Sequence, residues 1–232
     1  MAGDFSSIQV VIPVRDEAAT ITTVVENLRV QGLHRIRVVD NGSSDGSGDL
    51  AHAAGAVVLR EPRPGYGRAC WRGCGNLDED IEWILFCDGD GSDAIEPAME
   101  WLELRERFDL LLGDRTATPS GREAMTPTQR WGNRLATGLI AIGWAHRYRD
   151  LGPFRLIRRS AFEAMAIQDR GFGWTIEMQV KALELGLRIH EVPVPYYPRR
   201  GGRSKISGQL LASIQAGVVI LSTIVKLFLN RI

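Results

Sequence analysis

Trp83-Ile84-Leu85-Phe86-Cys87-Asp88-Gly89-Asp90-Gly91-Ser92-Asp93 decides how the rest of the chain is read. Apolar residues run without alternation from Trp83 to Cys87, and three carboxylates follow within six positions. A short apolar run closed by Gly and Asp describes a buried strand that ends in a tight loop. Such strands belong to parallel sheets covered on both faces, and open α/β sheets collect ligands at the carboxyl ends of their strands. Three carboxylates crowded at that edge repel one another and lose hydration. A divalent cation relieves both costs, and Asp-x-Asp suits a hard ion such as Mg²⁺ or Mn²⁺. A solvated acidic turn ahead of a helix beginning near Ile95 is the plainer use of the same residues.

Upstream, Ile8 to Ile12 reads as a first strand stopped by Pro13, followed by a helix opened by Asp16 or Glu17. Ile36 to Val39 is a second apolar run, ending in Asp40-Asn41-Gly42-Ser43-Ser44-Asp45-Gly46, and Val57-Val58-Leu59 is a third. A Gly-broken helix spans 65–77, and Pro97 is placed to begin a helix reaching Phe108. Leu110-Leu111-Leu112 follows as a fifth strand. This alternation predicts a doubly wound parallel sheet over 8–113. Downstream, 118–126 reads as a mobile loop, Thr126-Pro127 caps a long helix to about Gly143, and 150–158 leads into a strand. Ser160 caps a short helix, 174–185 forms another, and 189–194 is a strand. The one boundary falls near Ser207, dividing a domain of 1–206 from an apolar C-terminal helix within 207–232.

The chain has 232 residues with 44% hydrophobic and 24% charged content, ordinary for one soluble globular core. Lys plus Arg equals Asp plus Glu, 28 each, so net charge names no partner. Acids cluster at 78–96 and bases at 199–205. Nothing resembles a nucleic-acid module. Three cysteines, Cys70, Cys74 and Cys87, form no zinc set, and their small odd number fits a reducing compartment. The first residues lack the basic and long apolar parts of a secretion signal, so a cytoplasmic location is expected. No Gly-x-Gly-x-x-Gly follows the first strand and there is no Walker loop, which counts against dinucleotides and ATP hydrolysis. The loops after the first three strands are polar or Gly-rich, and at one sheet edge they would form a crevice able to hold a nucleotide. Asp40 there is able to accept a ring N–H from a uracil or guanine, or to act as an ordinary turn-former.

Three motifs occur in order, each after an apolar strand: Val11-Ile12-Pro13-Val14-Arg15-Asp16-Glu17, Val38-Val39-Asp40-Asn41-Gly42-Ser43-Ser44-Asp45-Gly46 and Asp88-Gly89-Asp90-Gly91. Together they resemble the family two glycosyltransferases with the GT-A fold. Gly113-Asp114-Arg115 and Asp150-Leu151-Gly152-Pro153-Phe154-Arg155 resemble the part shared with dolichyl-phosphate mannose synthases and other polyprenyl-phosphate glycosyltransferases. The resemblance covers roughly 8–206. It implies a mostly parallel sheet flanked by helices, an inverting transfer, and a nucleoside diphosphate sugar as donor, with UDP, GDP and dTDP all open. It further implies that Pro13, Arg15, Glu17 and Asp40 line the base and ribose pocket. Asp88 and Asp90 would hold the metal, with Ser92 where relatives often carry Gln. Arg115 would face the donor diphosphate or the acceptor phosphate. Two departures stand out: Asn41 replaces a frequent second Asp, and Pro153 interrupts a Gly-Phe-Arg run.

Charge explains the mechanism such a site would use. Cleaving an anomeric C–O bond leaves a diphosphate whose developing charge needs a cation, which the metal held by Asp88 and Asp90 would supply. Arg199, Arg200, Arg203 and Lys205, hinged by Gly201-Gly202, form a basic stretch suited to closing over phosphates. A phosphate monoester acceptor, with a second pKa of about 6, is already nucleophilic at neutral pH, whereas a hydroxyl needs a positioned base. Glu177, an acid amid apolar residues, is the candidate for base or acceptor-positioning group. Asp150 is the other acid, with orientation of Arg155 as its expected role. The run 210–229 is near bilayer-spanning length but carries Ser213, Gln215, Ser222, Thr223 and Lys226. An interfacial helix at the cytoplasmic membrane face is its expected form; packing against the sheet or against a second subunit of a homodimer competes. The expected function is metal-dependent sugar transfer, most naturally to polyprenyl phosphate. A small hydroxylated acceptor, or a silent nucleotide-binding protein, are the rivals.

Overall fold

The computed structural model describes residues 5–96, 98–199 and 210–230. Four strands, β1 (Ile8–Val14), β2 (Ile36–Asp40), β3 (Val57–Arg60) and β4 (Trp83–Phe86), run parallel. With β5 (Leu110–Asp114), β6 (Arg155–Arg158) and β7 (Ile189–Pro193) they form a seven-stranded sheet in the order β3-β2-β1-β4-β6-β5-β7. Strand order reverses between β1 and β4, which opens a crevice at their carboxyl ends.

The five strands within 8–113 run in one direction, as expected, but their pairing is not continuous. β5 does not pair with β4, because β6 lies between them, antiparallel to both. Arg155, Leu156 and Ile157 of β6 are all buried, so that strand belongs in the covered interior rather than at an edge. β5 nevertheless points the same way as β4, and β7 pairs with it in parallel. The carboxyl ends of β1, β2, β4, β5 and β7 therefore share one edge, and β6 begins there.

Alternation along the strands divides the core. Ile8, Val10, Ile12 and Val14 of β1 face one layer with α1 (Ile21–Val30), α2 (Ser47–Ala53) and α4 (Ala98–Leu104). Val11, Val39, Ile84 and Phe86 face the other layer, built from α3 (Tyr66–Gly73), α6 (Pro127–Trp144), α7 (Arg159–Met165), α8 (Trp174–Glu184) and α9 (Leu210–Asn230). A Cβ on Gly73 would collide with Val11 and Val39, so α3 lies close over β1 and β2 only because that residue is Gly.

Several local expectations shift. Pro13 does not stop β1: pairing with β4 ends at Val11, so beyond it the strand has a neighbour on one side only and the missing N–H costs nothing. Helix α1 starts at Ile21 rather than at 16 or 17, since Asp16 sits at φ 52° and Glu17 O accepts the Thr20 and Ile21 amides in a preceding turn. The stretch 118–126 is not a bare loop: Thr118 caps α5 (Pro119–Ala124), and Thr126 with Gln129 forms a capping box that starts α6. The short helix expected behind Ser160 begins at Arg159 instead. Pro97 and the boundary near 207 lie outside the described residues.

Candidate functional site

The loop after β4 is built around its acids. Asp93 accepts the Asp88 amide (2.8 Å) and Asp90 accepts the Ser92 amide (3.0 Å), while Gly91 supplies the left-handed turn at φ 72°. A Cβ on Gly89 would come within 2.8 Å of Val14, so the loop presses directly on the end of β1. Thr20 Oγ1 donates to Gly89 O at 2.8 Å and ties the loop to the start of α1.

The two loops opposite are stitched together by side chains. The Asp16 amide donates to Ser43 Oγ (3.0 Å) and Asp16 accepts the Ser44 amide (2.8 Å). The Ala18 amide reaches Asp45 (3.0 Å), and the Glu17 amide donates to Ser47 Oγ (2.7 Å). Asp40 accepts the Ser43 amide at 2.8 Å, the turn-forming role. Asn41 is buried and holds the loop after β3: its amide donates to Glu61 O (2.8 Å) and Arg63 O (2.7 Å), and its oxygen accepts the Gly65 amide (2.9 Å). The sequence reading gave Asn41 little weight, yet three backbone groups depend on it.

Of the expected site residues, the structure brings Pro13, Glu17, Asp40, Asp88, Asp90, Ser92 and Arg115 to this one edge, with Arg15 exposed on the loop after β1. Arg203 and Lys205 lie outside the described residues. Arg199 is described, and its guanidinium spans Glu17 Oε1 (2.6 Å) and Asp90 Oδ2 (3.3 Å). Burial, with the neighbouring charges of Asp93 and Asp90, raises the Asp88 carboxyl well above its ordinary range. Asp93, also buried and facing Asp90, is pushed up to about 7 even though the Asp88 amide opposes the shift. These acids crowd one another at the carboxyl end of β4, with Arg199 set against Asp90.

Among the described residues no three His, Cys, Asp or Glu side chains form a ready metal cage. The Ser92 hydroxyl donates to Asp90 Oδ1, so it shapes the turn instead of standing free as a ligand. That pattern still fits an ion of the Mg²⁺ type, which is held by one or two carboxylates plus substrate phosphates and keeps several waters. The raised carboxyls of Asp88 and Asp93 and the placement of the Arg199 cation against Asp90 both mark where positive charge is wanted.

Arg115 follows β5 and is buried. Its Nε and Nη2 donate to the Asp150 carboxylate at 2.7 and 2.9 Å, its amide donates to the same group at 3.0 Å, and its guanidinium lies over the Tyr196 ring at 4.9 Å. The expected pairing of Asp150 with Arg155 is thus corrected. Arg155 points instead to Thr175 O, Gly152 O and Met178 Sδ, beneath the loop. Burial alone would raise the Asp150 carboxyl, but the Arg115 charge and hydrogen bonds hold it below its ordinary value. Glu177 is buried with both oxygens engaged, by the Gln168 and Asp169 amides (3.0 and 2.6 Å) and by Lys181 (2.9 Å). Burial opposes ionisation there, yet these donors keep the carboxyl below its ordinary value. Its observed contacts anchor the loop before α8.

Three site residues escaped the sequence reading. Asp93 stood in the quoted stretch but was given no role. Tyr66 reaches Asp88 at 3.5 Å, and Tyr196 bridges its backbone to Asp93. The tyrosine at the head of the Gly-broken helix and the Pro195-Tyr196-Tyr197-Pro198 run before the basic stretch were the available signals.

Comparison with known proteins bears on this geometry. The profile described as "Glycosyl transferase family 2" matches residues 9–165. An uncharacterized glycosyltransferase of Mycobacterium bovis is 34% identical over 223 residues, covering 93% of this chain and 96% of the relative. An undecaprenyl-phosphate mannosyltransferase of Micrococcus luteus is 29% identical over 224 residues, covering 90% of each. Among solved structures, glucosyl-3-phosphoglycerate synthase from Mycobacterium tuberculosis, crystallised with Mn²⁺, UDP-glucose and phosphoglyceric acid, superposes with a TM-score of 0.70 at 21% identity, over 96% of this chain and 79% of that one. At that identity the likeness speaks to the GT-A fold alone. With the profile spanning most of the sheet and a relative 34% identical over 93% of this chain, the chain belongs to glycosyl transferase family 2.

Proposed function

We propose that this glycosyltransferase moves a sugar from a nucleoside diphosphate donor onto a polyprenyl phosphate, with inversion, using a divalent cation. The observation that carries the acceptor choice is the state of Glu177. Its oxygens are engaged by two backbone amides and Lys181, and its proton affinity is lowered, so it is poorly suited to take a proton from a hydroxyl. An acceptor phosphate needs no such base, its second pKa being about 6. The relative named undecaprenyl-phosphate mannosyltransferase, aligned over 90% of the chain, supports the same choice.

Each residue then has a task that its contacts suit. Pro13, Arg15, Glu17 and Asp40 border the donor base and ribose, on loops held rigid by Ser43, Asp45 and Ser47. Asp88 and Asp90 would hold the cation, which supplies charge neutralisation to the leaving diphosphate. Arg199 exchanges Asp90 for donor phosphate oxygens, with Arg203 and Lys205 following in the same basic stretch. Arg115, locked by Asp150 and covered by Tyr196, presents a fixed positive charge to the acceptor phosphate beside the reacting centre. Asp93 and Tyr66 keep Asp88 in place.

The test is transfer of label from UDP-, GDP- and dTDP-sugars to a short-chain, water-soluble prenyl phosphate. One donor should give a glycosyl-phosphate product only with Mn²⁺ or Mg²⁺ present, and Asp90→Ala should lower the rate by about 100-fold or more. Equal turnover in EDTA would remove the cation from the scheme. Transfer to a simple hydroxyl acceptor with none to prenyl phosphate would move the function to the small-acceptor class.

A further inference from the structure

Two helices of the same layer carry apolar stripes that face away from the core. On α6, the buried side is Asn133, Ala136, Thr137, Ile140 and Trp144. The opposite side is Trp131, Leu135, Gly138 and Ile142, at spacing i, i+4, i+7, i+11, and Trp131 and Ile142 are 67% and 84% exposed. On α9, Val218, Ser222, Val225 and Leu229 repeat that spacing on the exposed side, while Thr223 and Ile224 face inward. The helices pack together at their carboxyl ends, where Phe228 lies edge-on to Trp144 (6.0 Å) and against Gly143, the neighbour of Ile142. An outward apolar stripe is unusual on a soluble helix, and two joined side by side call for an occupant.

Charge identifies it. The chain carries 28 acids, yet none lies from 124 to 149, a stretch with Arg130, Arg134, Arg147 and Arg149, and none lies on α9, which carries Lys226. All four arginines of the first stretch are exposed. Two acids beside these helices, Glu184 and Asp169, bond inward to Trp144 Nε1 and Thr223 Oγ1, and Glu191 is taken up by the Arg149 amide. A predominantly basic rim beside apolar stripes complements a surface that is apolar within and anionic above, which is a bilayer of anionic phospholipid. Among the described residues no helix is long and apolar enough to cross a membrane, and contact along the exposed helix faces is the lying-upon kind.

We propose that the outward faces of α6 and α9 together form a docking surface for an anionic lipid bilayer. The proposal deepens the lipid-phosphate reading, since it would bring the open cleft to the layer that holds a prenyl acceptor, but its test does not depend on transfer. The full chain is sedimented with vesicles of phosphatidylcholine alone and of phosphatidylcholine with phosphatidylglycerol. Binding is expected only to the anionic vesicles and should weaken as salt rises. Trp131→Glu with Ile142→Glu should reduce the partition by about tenfold or more, as should Val225→Glu. Val30→Glu, at a residue 82% exposed on α1, should leave it unchanged. Melting temperature and transfer to the water-soluble prenyl phosphate should hold in all three, which separates failure of docking from failure of the acceptor reading. Equal binding to both vesicle types, or no loss in the α6 and α9 variants, overturns the proposal. So does a concentration-dependent dimer that these variants dissolve while the parent ignores vesicles, because the face would then belong to a second copy.

Discussion

Asp150 and Arg115 show how one pairing sets the chemistry around it. The acid is 1% and the base 10% exposed at the side chain, and three hydrogen bonds join them. Removing one charge of a buried pair leaves the other uncompensated, so Asp150→Asn should lower stability by about 3 kcal/mol, read from urea denaturation. If Arg115 contacts the acceptor phosphate, the same variant should reduce kcat by about tenfold or more, with donor KM little changed; a purely structural role would lower the melting temperature and leave kcat of the folded fraction intact. Glu177→Gln separates acceptor classes. It removes the charge that Lys181 and two amides hold, so a modest loss of stability and a rate within about tenfold of the parent are expected. Collapse of turnover with donor binding retained would instead make Glu177 the base.

At the scale of elements, the edge proposed to take the donor is a set of loops that cross-link one another. Each is short, carries polar groups that the neighbouring loop satisfies, and hangs from a strand of a covered sheet. Asn41 joins the loops after β2 and β3 through three hydrogen bonds from a buried position. Asn41→Ala should therefore cost about 2 kcal/mol and raise donor KM more than it lowers kcat, since it loosens the nucleotide side without touching Asp88 or Asp90. Steady-state kinetics with the matched donor would check that split. The strands β4 and β5 are the most legible in the sequence, because each is an unbroken apolar run closed within two residues by Gly or Asp. Less legible were the helix starts: α1 begins late because Asp16 takes a left-handed turn so that its side chain can reach Ser44. Residue type alone does not choose between that turn and a first helical turn.

For the whole molecule the concentration of acids at one edge has a thermodynamic consequence. Burial and mutual repulsion raise Asp88 and Asp93, so the folded state binds more protons than the unfolded one between the ordinary value of 3.8 and about 7. Their contribution to stability is fully present below the unfolded value and is lost as pH rises through that window. Asp45, Asp109, Asp150 and Glu177 are lowered and act in the opposite sense, but only in acid, below their ordinary range. The metal-free protein should thus melt at a lower temperature near pH 7.5 than near pH 5.5, by roughly a few degrees, and Mn²⁺ with nucleotide should restore more at the higher pH. A melting temperature flat or rising across that interval would show that another group outweighs these acids.

The sequence by itself determined the apolar strands and the acidic loop after β4 that carries Asp88 and Asp90, because those features depend on residues next to one another in the chain. Only the tertiary structure decided that β6 inserts antiparallel between β4 and β5, that Asp150 serves Arg115 across 35 positions, and that Arg199 reaches Glu17 across 182. Those pairings follow from which strand can be buried on both faces and which charges the folded sheet strips of water. Such conditions exist only once distant segments meet.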